Sequence, residues 1–230
     1  MQGMLNKPLI RRLSLIILVL IPFCPATLLA RDDLQAWQML SLNFWQSGPH
    51  SASLYMDHRL VDDLSTTGVW VGGPRYKYAA HKNLQLGLGF VYLDVKNLET
   101  GSWTYQLRPE LEINPRFKIS ENLSFHFRNR LEVRYIESQS GSNVRSRHRP
   151  QLTHSIQWKA MEKIYANTEL FYSHETHQVN EFRTVPVGLG FKLTDSAKLD
   201  LFYLIQSRRQ GGGSDWRHNH VMGTHLIYSF

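Results

Sequence analysis

Charged side chains recur at two-residue spacing along the middle of this sequence. Arg108, Glu110, Glu112, Arg116 and Lys118 are followed by Arg128, Arg130, Glu132 and Arg134, then by Arg147 and Arg149, with Glu169 further on. Two kinds of chemistry suit such a set. Opposite charges facing each other across neighbouring strands brace a sheet, at about 0.2–1 kcal/mol per pair. Alternatively, the excess of arginine makes a positive wall, and the planar guanidinium fork matches carboxylate, sulfate or phosphate groups.

The other reactive residues do not assemble into a catalytic set. Ser173-His174-Glu175 and His177 cluster at an expected loop. Neighbouring residues on a strand point to opposite faces, so Ser173 and His174 cannot pair directly if the strand continues. His174-Glu175-Thr176-His177 also lacks the i, i+4 spacing of a helical zinc site. His218 and His220 share a face and could ligate a metal, but an outer rim beside lipopolysaccharide phosphates suits them better. We therefore expect no enzyme, no metal and no cofactor. There is no nucleotide-binding loop, and a cationic surplus turned inward does not suggest a nucleic-acid partner.

The elements that position the charges are strands. From Tyr105 to Ile119, apolar and polar residues alternate, Ser120-Glu121-Asn122 reads as a turn, and alternation resumes from Leu123 to Tyr135 with Asn129 the one polar residue on the apolar side. Period-2 alternation means strand. Both arms exceed the usual strand of about 5–6 residues and fit a membrane-crossing strand of about 9–11 residues with overhang. Charge complementarity predicts a register in which Arg108 faces Glu132, Glu110 faces Arg130 and Glu112 faces Arg128, with Tyr105 against Tyr135. The alternative, shifted by two, sets Glu110 against Glu132, which like-charge repulsion disfavours. Once these pairs form, Arg116, Arg134, Arg147 and Arg149 are the cations left for a solute. Pro109 and Pro115 lack a ladder donor, so a bulge or a broken ladder bond is expected at each.

The same reading extends over the chain. Lys7, Arg11 and Arg12 precede an apolar run of 11 residues, Leu13 to Phe23, as in a cleaved secretory signal ending at Ala30 or Ala26. Residues 1–30 are thus the expected signal peptide and 31–230 a single domain. Cleavage removes Cys24, the only cysteine, and leaves 23 basic residues against 19 acidic ones. Eleven segments read as strands, and Ser65–Ala79 reads either as one long strand or as two short ones broken at Gly72-Gly73-Pro74. Bacterial outer-membrane barrels usually have an even number of strands. The expected fold is therefore an all-β, transmembrane antiparallel barrel of 12 strands, within a range of 10–12. Trp37, Trp45, Tyr76, Tyr78, Tyr92, Tyr105, Tyr135, Trp158, Tyr172 and Tyr228 lie near strand ends, as in the aromatic girdles of such barrels. Met222, Leu226, Tyr228 and the terminal Phe230 resemble the last-strand signal that outer-membrane proteins present to the barrel-assembly machinery.

Several motifs carry a family resemblance. They are Phe125-His126-Phe127-Arg128-Asn129-Arg130-Leu131-Glu132-Val133-Arg134-Tyr135, Gly73-Pro74-Arg75-Tyr76, Arg147 with Arg149, Glu169-Leu170-Phe171 and Asn219-His220-Val221. Together the chain resembles an uncharacterised Gram-negative outer-membrane family, labelled domain of unknown function 2490. Around Arg183 the family's small-residue spacing shifts by one. The resemblance implies fold and location and supplies no activity. The expected location is the outer membrane, with lipid, lipopolysaccharide and the assembly machinery as partners. The expected role is a narrow channel whose arginine-rich lumen favours small anionic solutes. The alternatives are a structural or lipid-contacting barrel with a charge-paired, closed lumen and, further off, a lipid-modifying enzyme.

Overall fold

The computed structural model describes residues 32–137, 139–209 and 215–230, so the expected signal peptide lies outside the described residues. These residues form eleven strands: β1 (Asp33–Ser47), β2 (His50–Val61), β3 (Thr66–His81), β4 (Leu84–Lys96), β5 (Trp103–Lys118), β6 (Leu123–Ile136), β7 (Asn143–Trp158), β8 (Met161–Ser173), β9 (Gln178–Lys192), β10 (Ala197–Arg209) and β11 (Trp216–Ser229). Each pairs with its sequence neighbours, and β1 closes on β11 to complete a barrel.

The barrel thus has eleven strands rather than the expected twelve. Ser65–Ala79 is not split: β2 pairs with β3 straight through Pro74, with Leu54 opposite it. Only the ladder to β4 skips Gly73 and Pro74. Gly73 permits this local break because its missing Cβ leaves room for the Phe90 carbonyl. An odd number forces a parallel seam, and β1 runs parallel to β11 from Asp33 beside Asn219 to Asn43 beside Ser229. The start of β1 therefore lies at the end that carries the longer loops. Phe230 lies at the end with the short turns.

The hairpin of β5 and β6 adopts the register that charge counting disfavoured. Glu110 faces Glu132, Glu112 faces Arg130 and Leu107 faces Tyr135. The turn then spans Ser120-Glu121-Asn122, with the Ile119 and Ser120 amides both donating to the Leu123 carbonyl. Two-strand counting failed because it left out β7. In the β6–β7 ladder Arg145 stands beside Glu132 and Arg147 beside Arg130, so arginines from a third strand neutralise the opposed carboxylates.

The strand prolines fall where the ladder is interrupted on one side. Opposite β6, β5 skips Arg108–Pro109 and Asn114–Pro115 while its pairing with β4 runs on unbroken, so the expected broken bonds are found. Pro150 lies in a gap of the β7–β8 ladder. At Pro186 the register shifts toward both neighbours, and buried Val185 and Gly188 flank two exposed residues. That bulge reverses the facing of β9 just beyond Arg183, where the small-residue spacing slips.

Alternation sorts the side chains. Large apolar residues such as Leu88, Phe90, Leu111, Ile113 and Phe117 are exposed on the outside. Asn129 is also outside, where it hydrogen-bonds His148 at 2.8 Å and the Ile113 carbonyl at 3.2 Å. One aromatic departs from the girdle: Trp37 is 2% exposed and packs inside with Tyr165, Val185, Leu204 and Val221. Its odd position on β1 shares the inward face of Asp33 and Gln35, whose side chains are also buried.

The register makes a direct prediction. In a Cys24→Ala background, cysteines replacing Leu111 and Leu131 should crosslink readily. Cysteines at 111 and 129 are diagonal neighbours, and Cα separations beyond about 7 Å do not admit a disulfide. Mobility on non-reducing gels compares the two, and preferential crosslinking of 111 to 129 would restore the rejected register.

Candidate functional site in the lumen

The inward charges form one continuous lattice across five strands. Arg130 on β6 donates from Nη1 to Glu110 on β5 at 2.9 Å and through Nε and Nη2 to Glu112. It also lies 3.7 Å from Glu132. Glu132 accepts from Arg145 at 2.6 Å and from Arg147 at 2.6 Å. Arg147 continues to Glu169 on β8 with two bonds of 3.0 Å, and Arg128 reaches the same carboxylate at 2.6 Å. At the other end Arg75 on β3 approaches Glu110 at 3.6 Å. That contact crosses β4, whose inward Gly87 and Gly89 leave room for the Glu112 and Glu110 side chains lying over them.

Aromatic faces complete the filling. The Arg59 guanidinium stands 3.9 Å and the Arg183 guanidinium 4.8 Å from the Trp37 ring centroid. Arg145, Arg147 and Arg183 all stack on Phe171, at 4.9, 4.4 and 4.6 Å. Arg59 is itself paired with Asp57 at 2.5 Å, and Arg183 with Glu181 at 2.6 Å. Stacked guanidinium–aromatic contacts gain strength where water is excluded. Trp37, Phe171, Glu132, Val91, Val221 and Asp57 are the largest fully buried side chains among the described residues, and all six face inward. The interior is packed.

Space remains toward either end. On the short-turn side a cavity of about 180 Å³ is lined by Arg75, Lys77, Arg116, Arg128 and Arg149, with His126, the amides of Gln85, Asn114 and Gln151, and a single carboxylate, Glu112. On the loop side a second cavity of about 340 Å³ sets Val69, Val95 and Leu98 against Arg208 and Arg217.

The structure separates the charged residues expected from sequence. Glu110, Glu112, Arg130, Glu132, Arg147, Glu169 and Arg128 belong to the lattice, which takes Arg147 off the set of free cations. Arg116 and Arg149 meet in the short-turn cavity. Arg108, expected to face Glu132, instead donates to Gln106 at 2.7 Å, and Arg134 reaches the same oxygen at 3.4 Å. Lys118 stays exposed at the end of β5. Met222, Leu226, Tyr228 and Phe230 are all exposed on the outer face or end of the last strand. Sequence reasoning passed over Arg75 and Lys77, which oppose Tyr76 and Tyr78 on an intact strand. It also missed Arg145, one alternation before Arg147.

The remaining reactive residues are occupied by local structure. Ser173 Oγ accepts from the Thr176 amide at 3.4 Å, while His174 lies beyond the strand and meets Tyr172 edge-on. His218 bonds Ser207 at 2.8 Å and His220 bonds Tyr203. Among the described residues no group of three or more His, Cys, Asp or Glu is placed to hold a metal.

A closed β-barrel with a charge-filled interior is the class that fold and site define. The chain belongs to the family described as "Protein of unknown function (DUF2490)", whose model matches residues 34–218. No curated protein matches it.

The lattice predicts a large cost for removing its central carboxylate. Glu132→Gln leaves Arg145 and Arg147 short of a buried partner, and breaking one side of such a pair costs about 3–5 kcal/mol. Glu121→Gln, in an exposed turn, should cost less than about 0.5 kcal/mol. Unfolding midpoints by circular dichroism compare them, and equal midpoints would remove Glu132 from the centre of the network.

Proposed function

We propose that this protein is an outer-membrane β-barrel whose lumen is held shut by its own ion pairs, so that it does not conduct at rest. The observation that carries this reading is the lattice from Arg75 to Arg128, closed over by Trp37 and Phe171. An open anion channel needs arginines free along the whole path. Here the middle arginines are bound to carboxylates, and the less encumbered ones sit toward the mouths.

Supporting a membrane setting, the strands run to 12–16 residues, more than the tilted crossing requires. The outer face is apolar over its middle, with exposed aromatics in two groups. Trp45, Tyr76, Tyr78 and Tyr228 mark the short-turn end, and Tyr92, Tyr105 and Tyr135 the loop end. Two such groups suit the two headgroup levels. The basic, apolar and small-residue order of residues 1–30 supports export by a cleaved signal. Exposed Met222, Leu226, Tyr228 and Phe230 suit presentation to an assembly machinery. Lipid and lipopolysaccharide are then its surroundings.

Planar-bilayer recording tests the reading. The wild-type protein should insert without measurable conductance. Glu132→Ala, which frees Arg145 and leaves Arg147 held by Glu169 alone, should show anion-selective openings. Steady conductance of the wild type would reinstate the open channel.

A further inference from the structure

Positive charge in the short-turn cavity exceeds what the protein supplies to neutralise it. Five cations line it against one carboxylate, and that carboxylate, Glu112, is already bonded to Arg130 and to Asn114. Among the described residues Lys77 and Arg149 make no ion pair and no side-chain hydrogen bond. Arg116 gives its Nε to the Lys82 carbonyl at 3.1 Å. Arg128 spends Nη2 on Glu169, and its buried Nε has no partner; the Nε of Arg75 is likewise buried without one. The charges come from four strands, β3, β5, β6 and β7, so no single rotamer change relieves them. Arg128 and Arg149 even face each other directly across the β6–β7 ladder. Arg75 and Arg128 keep ion pairs with Glu110 and Glu169, and Arg116 is exposed, which leaves the half-buried Lys77 and Arg149 without a contacting counter-charge. Such charges are costly to hold, and the field between the cavity walls concentrates anions.

We infer that this cavity is a binding site for a small phosphate-bearing anion. Four guanidinium groups converging from four strands offer forks to a tetrahedral oxyanion from several sides, and Lys77 adds a point charge. A singly charged carboxylate would leave most of these donors unused. The lining is polar but for Pro115 and Phe127, so it offers little to an acyl chain. At about 180 Å³ it has room for a phosphate with a few attached atoms. The site goes beyond the closed-barrel reading, because it needs only the cavity and not the seal above it.

The test uses the full barrel in a neutral, lipid-free detergent, titrated calorimetrically with inorganic phosphate at low ionic strength. Saturable binding at one site is expected, weakened about tenfold or more by Arg149→Gln and by Lys77→Gln. Arg217→Gln, at the other mouth, should leave it unchanged. Phosphate should raise the unfolding temperature of the wild type and much less that of Arg149→Gln, since only a bound ligand stabilises the folded state. Without phosphate, Arg149→Gln should be at least as stable as the wild type, having lost an unpaired cation. Should Arg149→Gln fail to fold, Lys77→Gln carries the same comparison. An anionic phospholipid headgroup bears the same chemistry. Phospholipid that copurifies with the wild type and is lost from Arg149→Gln would assign the site to a headgroup, and binding of added phosphate alone would assign it to a free anion. No saturable phosphate binding and no such lipid, or equal loss in Arg217→Gln, would overturn the inference. A conducting wild type that still binds phosphate would overturn the closed lumen alone.

Discussion

The interior depends on Glu132. This carboxylate has no solvent exposure, and it is met by Arg145 and Arg147 from β7 while Arg130 stands within 3.7 Å. A buried carboxylate is tolerated only where its partners are close and oriented. Two of those partners are in turn committed to other carboxylates, Arg130 to Glu110 and Glu112 and Arg147 to Glu169, while Arg145 depends on Glu132 alone among the described residues. The lattice fixes how β5, β6, β7 and β8 lie relative to one another, because sliding one strand by two residues would exchange several of these pairs at once. The filled middle of the barrel and the choice of register are two consequences of the same contacts.

Charge pairing across one ladder is a weak guide when the side chains are long. Glu110 opposes Glu132 and Arg130 opposes Arg147, two like-charged facing pairs that each taken alone would be rejected. The energy is recovered on diagonals, where an arginine spans from its own position to a carboxylate two residues away or a strand beyond. The glycines of β4 extend this reach, since Gly87 and Gly89 let Glu112 and Glu110 lie across the strand toward Arg75. The prolines confine the damage they do. At Pro109 and Pro115 one ladder is broken and the other intact, so the sheet stays closed without a free edge.

Alternation separates the two faces of each strand, and Glu110, Glu112, Arg130, Glu132, Arg147 and Glu169 are buried on the inward one. Trp37 was read with the outer aromatics, yet its odd position on β1 places it with Gln35 inside. What alternation does not encode is the partner. Arg147 was read as free and is among the most engaged, because its carboxylates lie on two other strands. Eleven segments were read as strands, and the even-number habit of bacterial barrels then favoured a split at Gly72-Gly73-Pro74, yet the ladder to β2 passes through it. The same ambiguity hid Arg75 and Lys77. Their alternation with Tyr76 and Tyr78 would have revealed them once β3 was taken as continuous.

Seal and cavity use largely different residues, which is why an interior can be both closed and strongly basic. Glu132, Arg145 and Arg147 serve the middle alone; Lys77, Arg116 and Arg149 serve the short-turn cavity alone. Arg75, Arg128 and Glu112 belong to both. Arg75 and Arg128 are terminal links of the lattice, each with one ion pair, and Glu112 hangs from Arg130. An anion seated among them therefore competes with Glu169 for Arg128 and with Glu110 for Arg75, while the pairs around Glu132 stay out of its reach. Charge that gathers an anion at the mouth is thus carried largely by residues other than those that fill the middle. The coupling between the two runs through Arg75, Arg128 and Glu112, the members at the ends of the network.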